Sequence, residues 1–122
     1  MSGVYELREE LVERAVQRQI RVIAISGELD MAAAPSFEAA LFASVNGDEP
    51  VILDLSQVSF MDSTAIGALL AVRRRAELRP NRFAIVCAPG SEIERTLDYM
   101  GLDTAFSIVE SRPQAATELA NA

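Results

Sequence analysis

Asp62-Ser63-Thr64 sets two hydroxyls beside a carboxylate, at the point where a strand and a short polar stretch give way to a helical pattern. A hydroxyl at or next to a helix N-cap can accept a bond from one of the unpaired N–H groups of the first turn, and that role alone accounts for a serine here. The same hydroxyl can also take a phosphoryl group. A phosphate on Ser63 adds about −1.5 to −2 charges and three acceptor oxygens next to Asp62. Helix-terminal amides and the macrodipole are expected to accommodate that charge without unfolding the domain, whereas a docked partner would meet a new bulky anion.

Other chemistry is restricted by what the chain lacks. It has no His, and all eleven basic residues are Arg. A Ser-His-Asp triad, a Schiff base, a phosphohistidine and a Walker lysine are therefore out of reach, and no enzyme activity, cofactor or metal is expected. Cys87 is the single cysteine, so no internal disulfide can form, and its place beside Phe83 and Ile85 reads as core. Eighteen acidic residues give a net charge of −7, which disfavours direct nucleic-acid binding and favours positively charged protein partners. No apolar run nears the roughly 20 residues of a membrane-spanning helix. Glu6, Glu9, Glu10 and Glu13 interrupt what a secretory signal would keep apolar, so a cytoplasmic protein is expected.

The elements that must position Ser63 alternate. Half of the 122 residues are hydrophobic, enough for one core, so residues 1–122 read as a single domain. Val4 to Val12 leans towards a strand. The β-branched run Ile20 to Ser26 reads as a second strand that Gly27 stops, followed by an acidic turn at Glu28-Leu29-Asp30. A helix from about Pro35 to Val45 precedes the apolar strand Val51 to Leu55, and Ser56 to Asp62 reads as a turn. From Thr64 to Leu78, Ile66, Leu69, Leu70 and Ala76 fall at helical spacing, with Arg73, Arg74, Arg75 and Arg79 outward and Pro80 and Asn81 as the stop. A strand at Arg82 to Cys87, a capped helix from Ser91 to Gly101, a short strand near Phe106 to Val109 and a helix begun by Pro113 complete the pattern. Such alternation predicts an α/β layer fold: a mixed sheet of four to five strands packed against about four helices.

Two segments resemble the anti-sigma factor antagonist family within the STAS domain superfamily, and the likeness covers nearly the whole chain. Ser26-Gly27-Glu28-Leu29-Asp30 is similar to that family's G-E-L-D turn, and Asp54 to Thr64 is similar to its D-L-S-x-V-x-F-M-D-S-[ST] segment. The resemblance implies that Ser63 is phosphorylated by an anti-sigma factor that is itself a GHKL-type serine kinase. In such a partner-switching cycle, the unphosphorylated antagonist binds the kinase and frees a sigma factor, phosphorylation breaks the complex, and a PP2C-type phosphatase restores it. Sporulation and stress responses are the settings the family suggests. Asp30, Met61, Asp62, Ser63 and Thr64 are the implied partner-binding residues, in a protein expected to be monomeric.

Some readings stay open. The family usually carries Gly after its D-S-[ST] triplet, where this chain has Ala65: a position needing positive φ or close backbone approach disfavours Ala, and ordinary first-turn helix favours it. Met61 either meets the partner or tucks into the core, and Phe60 is expected in the core. Asp30, Asp54 and Asp62 resemble a magnesium-binding acid cluster of a receiver domain only superficially, because such domains pair the phosphoryl group with a lysine. The same superfamily also supplies accessory subunits of lipid-transport ABC systems and scaffolds of stress-sensing complexes, a role without phosphorylation switching.

Overall fold

A computed structural model describes residues 5–13, 19–78 and 82–120. In chain order the elements are β1 (Tyr5–Glu13), β2 (Gln19–Leu29), α1 (Ala34–Val45), β3 (Val51–Met61), α2 (Ser63–Arg75), β4 (Phe83–Val86), α3 (Glu92–Tyr99), a 3-10 turn (Leu102–Thr104), β5 (Ser107–Val109) and α4 (Arg112–Ala120). The strands lie in sequence order β1-β2-β3-β4-β5. β1 runs antiparallel to β2, and β2 to β5 are parallel. The mixed sheet and its helices match the expected layer architecture.

Parallel strands are covered on both faces, and so they read as continuous apolar runs. One face carries Ile23, Ile25, Leu53, Leu55, Phe83 and Ile85, packed with Phe37 and Leu41 of α1, Ile66 and Leu69 of α2, and Ile93 and Leu97 of α3. The other face, built on Ile20, Val22, Ile52, Ala84, Val86 and Val109, takes Ala115 and Leu119 of α4. Cys87 is buried in the first cluster, as its neighbours suggested, and burial with a smaller push from the Glu94 charge raises its thiol to about 11.

Two strands outrun the sequence reading. Gly27 does not end β2: at φ 98° it sits inside the strand, next to a register shift against β3. Ser56 to Met61 is not a turn either, because it continues β3. Between Ala24↔Asp54 and Ser26↔Gln57, and again between Gly27↔Val58 and Glu28↔Phe60, β3 spends one more residue than β2. Each extra residue is a bulge that breaks the two-residue alternation of side chains. Burial beyond Asp54 accordingly falls on every third residue, Leu55, Val58 and Met61. The same bulges put Met61 in the core at 5% exposure and turn Phe60, expected in the core, outward at 44%.

The helix α2 stops at Arg75, earlier than the periodicity implied. Glu77 takes φ 53°, and the Leu78 amide returns to the Arg73 carbonyl at 3.0 Å, the reversal that usually recruits glycine. Pro80 and Asn81, the predicted stop, lie outside the described residues, as do Arg79 and Val4. Two of the three consecutive arginines do more than face water. Arg73 donates from Nε to the Ala105 carbonyl at 2.9 Å, and Arg75 lies 4.3 Å from the Phe42 ring centroid while pairing with Glu38 at 3.3 Å.

Candidate functional site

Pairing of Leu29 with Met61 brings the carboxyl ends of β2 and β3 side by side, so that Asp30 and Asp62 are the next residue on each. The Asp62 amide donates to the Leu29 carbonyl at 3.1 Å and closes this junction. The carboxyl edge of a parallel sheet is where α/β proteins generally place ligand and partner contacts. Here it carries Asp30, Asp62, Ser63 and Thr64 together.

Asp62, rather than Ser63, is the N-cap of α2. Its extended backbone (φ −99°, ψ −179°) lets Oδ1 accept from the amides of Thr64 at 3.0 Å and Ala65 at 3.1 Å, and the Thr64 hydroxyl donates to the same oxygen. The Thr64 hydroxyl holds the carboxyl below the usual range, against slight desolvation and aided by the amides of Ala65, Thr64 and Met31. Asp30 closes the turn that leads into α1, its Oδ1 accepting from the Ala33 amide at 3.1 Å, while Ala33, the N-cap of α1, has no side-chain cap bond. We expect Asp62→Ala to lower the unfolding free energy by about 1 kcal/mol, the usual worth of an N-cap, and to release the Thr64 hydroxyl. Chemical denaturation of the two proteins checks this.

Capping by Asp62 leaves Ser63 as the first residue of α2, exposed to solvent, with no hydrogen bond to its hydroxyl among the described residues. Thr64 is also exposed, but its hydroxyl is committed to Asp62. Ala65 is fully buried in the first turn, and Glu77 is the only non-glycine residue of positive φ among those described. Position 65 is therefore ordinary helix, where Ala is favourable.

Two of the candidate residues are elsewhere. Met61 points into the core, the second of the two alternatives left open for it. Asp54 sits in the middle of β3 and is buried. Its Oδ2 meets Arg112 Nε at 2.6 Å and its Oδ1 accepts the Ser56 amide at 2.9 Å. Asp30, Asp54 and Asp62 do not form the receiver-like cluster, and no group of three or more potential ligands converges to hold a metal ion among the described residues.

Sequence reasoning missed the apolar surroundings. Ser63 and Ile66 of α2 face Arg95 and Tyr99 of α3, with Met100, across a groove of ≈ 400 Å³. Tyr99 is 89% exposed, Met100 47% and Met31 70%. A signal existed: Ile93 and Leu97 mark the buried stripe of α3, and Tyr99, two residues beyond Leu97, falls on the far side of the helix.

Comparison with known proteins extends this geometry. A family model described as the STAS domain matches residues 12–115. The chain belongs to the STAS domain family. This STAS domain is 32% identical over 100 residues to an anti-sigma-F factor antagonist, RsfB, of Mycobacterium tuberculosis, covering 80% of each chain. It superposes on the crystal structure of an anti-sigma factor antagonist from Mycobacterium paratuberculosis with a TM-score of 0.75 at 26% identity, over 94% of this chain and 95% of the other. The unphosphorylated form of the antagonist SpoIIAA shares the fold, with a TM-score of 0.68 at 23% identity, over 94% and 98% of the two chains. No helix among the described residues is long and apolar enough to cross a membrane.

Proposed function

We propose that this STAS domain is an anti-sigma factor antagonist, active when Ser63 is unmodified and switched off when Ser63 carries a phosphate. Unphosphorylated, it binds an anti-sigma factor that is a GHKL-type serine kinase and so frees the sigma factor that the kinase holds. Phosphorylation breaks the complex, and a PP2C-type phosphatase resets it. The domain acts by binding rather than turnover.

The observation that carries this reading is the division of labour at the start of α2. Asp62 performs the capping that would otherwise explain the serine, and Ser63 is left exposed at the same helix start. Asp30 and Asp62 lend negative charge to the surroundings, while Met31, Phe60, Tyr99 and Met100 are exposed apolar side chains. Such a mixture of anchors within a charged rim suits a protein partner better than a small substrate. The relatives named as antagonists support the same reading.

The direct test is incubation with candidate kinases of the same genome and ATP, followed by mass spectrometry. We expect one phosphate, on the peptide containing Ser63, and none on Thr64. Modification of Thr64 alone, or co-purification with a membrane transporter's ATPase in place of a small kinase, would refute the proposal.

A further inference from the structure

Resting on Ser63 as the modified residue, a second question is where its phosphate goes. The helix start that should receive an anion is already occupied: the amides of Thr64 and Ala65 and the Thr64 hydroxyl all serve Asp62 Oδ1, and the Ile66 amide serves the Asp62 carbonyl at 3.1 Å. Asp62 adds a like charge next door. The strongest remaining partner for a phosphate on Ser63 is therefore a cation on another element.

Several of the described arginines are committed. Arg21 pairs with Glu49, Arg75 with Glu38 and Arg112 with Asp54, and Arg73 is held by the Ala105 carbonyl. Arg95 is not paired in this way: among the described residues it forms no ion pair, and its guanidinium gives one bond from Nη1 to the Gly90 carbonyl at 2.8 Å. It is exposed, and it lines the same groove as Ser63. The other charge on the groove wall, Glu92, repels phosphate and leaves Arg95 as the sole countercharge among the described groove residues.

We infer that Arg95 is an intramolecular receptor for the Ser63 phosphate, latching α2 to α3 across the groove in the switched-off state. The guanidinium fork has donors to spare and matches phosphate oxygens two at a time. Drawn across the groove beside Met100 and Tyr99, it covers exposed apolar surface that a partner would use. Release then follows from a closed groove as well as from repulsion.

The test introduces phosphoserine at position 63 during synthesis, so that no kinase is needed, and follows the second phosphate ionisation by phosphorus NMR. An opposite charge nearby favours the dianion. We expect the phosphate pKa of the otherwise unaltered protein to lie at least about half a unit below that of Arg95→Gln at low salt, with the gap shrinking at about 1 M salt, where screening is nearly complete. Arg95→Lys should keep part of the shift, because it retains charge without the fork. Superimposable titrations of the phosphoprotein with and without the Arg95→Gln substitution overturn the latch and leave the Ser63 switch standing. Failure of every kinase to modify Ser63 sinks the switch and leaves the titration result untouched.

Discussion

Phosphorylation at Ser63 is expected to weaken binding of the partner kinase about 100-fold or more, while Ser63→Ala binds as tightly as the unmodified protein and stays active permanently. Removing the hydroxyl costs little because it is exposed and bonds to nothing among the described residues. Adding phosphate places about two further charges beside Asp62, on a surface already acidic at Asp30. Like charges forced together at an interface cost several kcal/mol, and each 1.4 kcal/mol is about tenfold in affinity. Ser63→Asp, with one added charge and no tetrahedral group, should fall between the two. Isothermal titration against the kinase measures all four proteins, and equal affinity for Ser63→Ala and the phosphoprotein would contradict the switch.

The second large effect concerns stability rather than signalling. Asp54 is buried between the sheet and α4, where Arg112 Nε meets it at 2.6 Å. Breaking a buried pair by deleting one partner typically costs about 3–5 kcal/mol, and because the Arg112 side chain is 37% exposed we expect about 2–3 kcal/mol for Arg112→Ala. Burial raises the Asp54 carboxyl, but hydrogen bonds from Ser56 and Arg112 outweigh it and hold the group below its ordinary value. A carboxyl whose folded-state pKa is depressed stabilises the protein fully above its unfolded value and loses that contribution as pH falls through the folded value. The stability gap between the natural protein and Asp54→Asn should therefore be widest near neutrality and close below about pH 4, the ordinary aspartate range. Urea denaturation at about pH 7 and about pH 3 decides it, and an unchanged gap would rule out this linkage.

The strands and the helix start were partly legible beforehand, the Asp54–Arg112 pair not at all. The apolar, largely β-branched runs at Ile20 to Ile25, Val51 to Leu55 and Phe83 to Cys87, each short and bounded by turn residues, announce buried strands. Asp62-Ser63-Thr64 announces a helix start because short polar side chains satisfy its amides. Which of the three does so was not legible: Asp and Ser cap about equally well, and only the turn geometry assigns the task to Asp62. The bulged half of β3 was hidden for a different reason. Ser56, Gln57 and Ser59 look like loop residues, and pairing with β2 overrides that local preference, since long-range hydrogen bonds decide strand extent. The arrival of α3 beside Ser63 depends on tertiary packing, which no local pattern encodes.

The three-residue rhythm at the end of β3 has a consequence for divergence. Leu55, Val58 and Met61 anchor that stretch, and Ser56, Gln57, Ser59 and Phe60 face outward on a backbone that stays fixed. Substitutions at Gln57 and Phe60 leave the interior unchanged, whereas Ser56 bonds the buried Asp54 and the Ser59 hydroxyl donates to the Gly27 carbonyl at 3.2 Å. The surface beside the carboxyl edge can thus change its chemistry there while the folding stability is conserved.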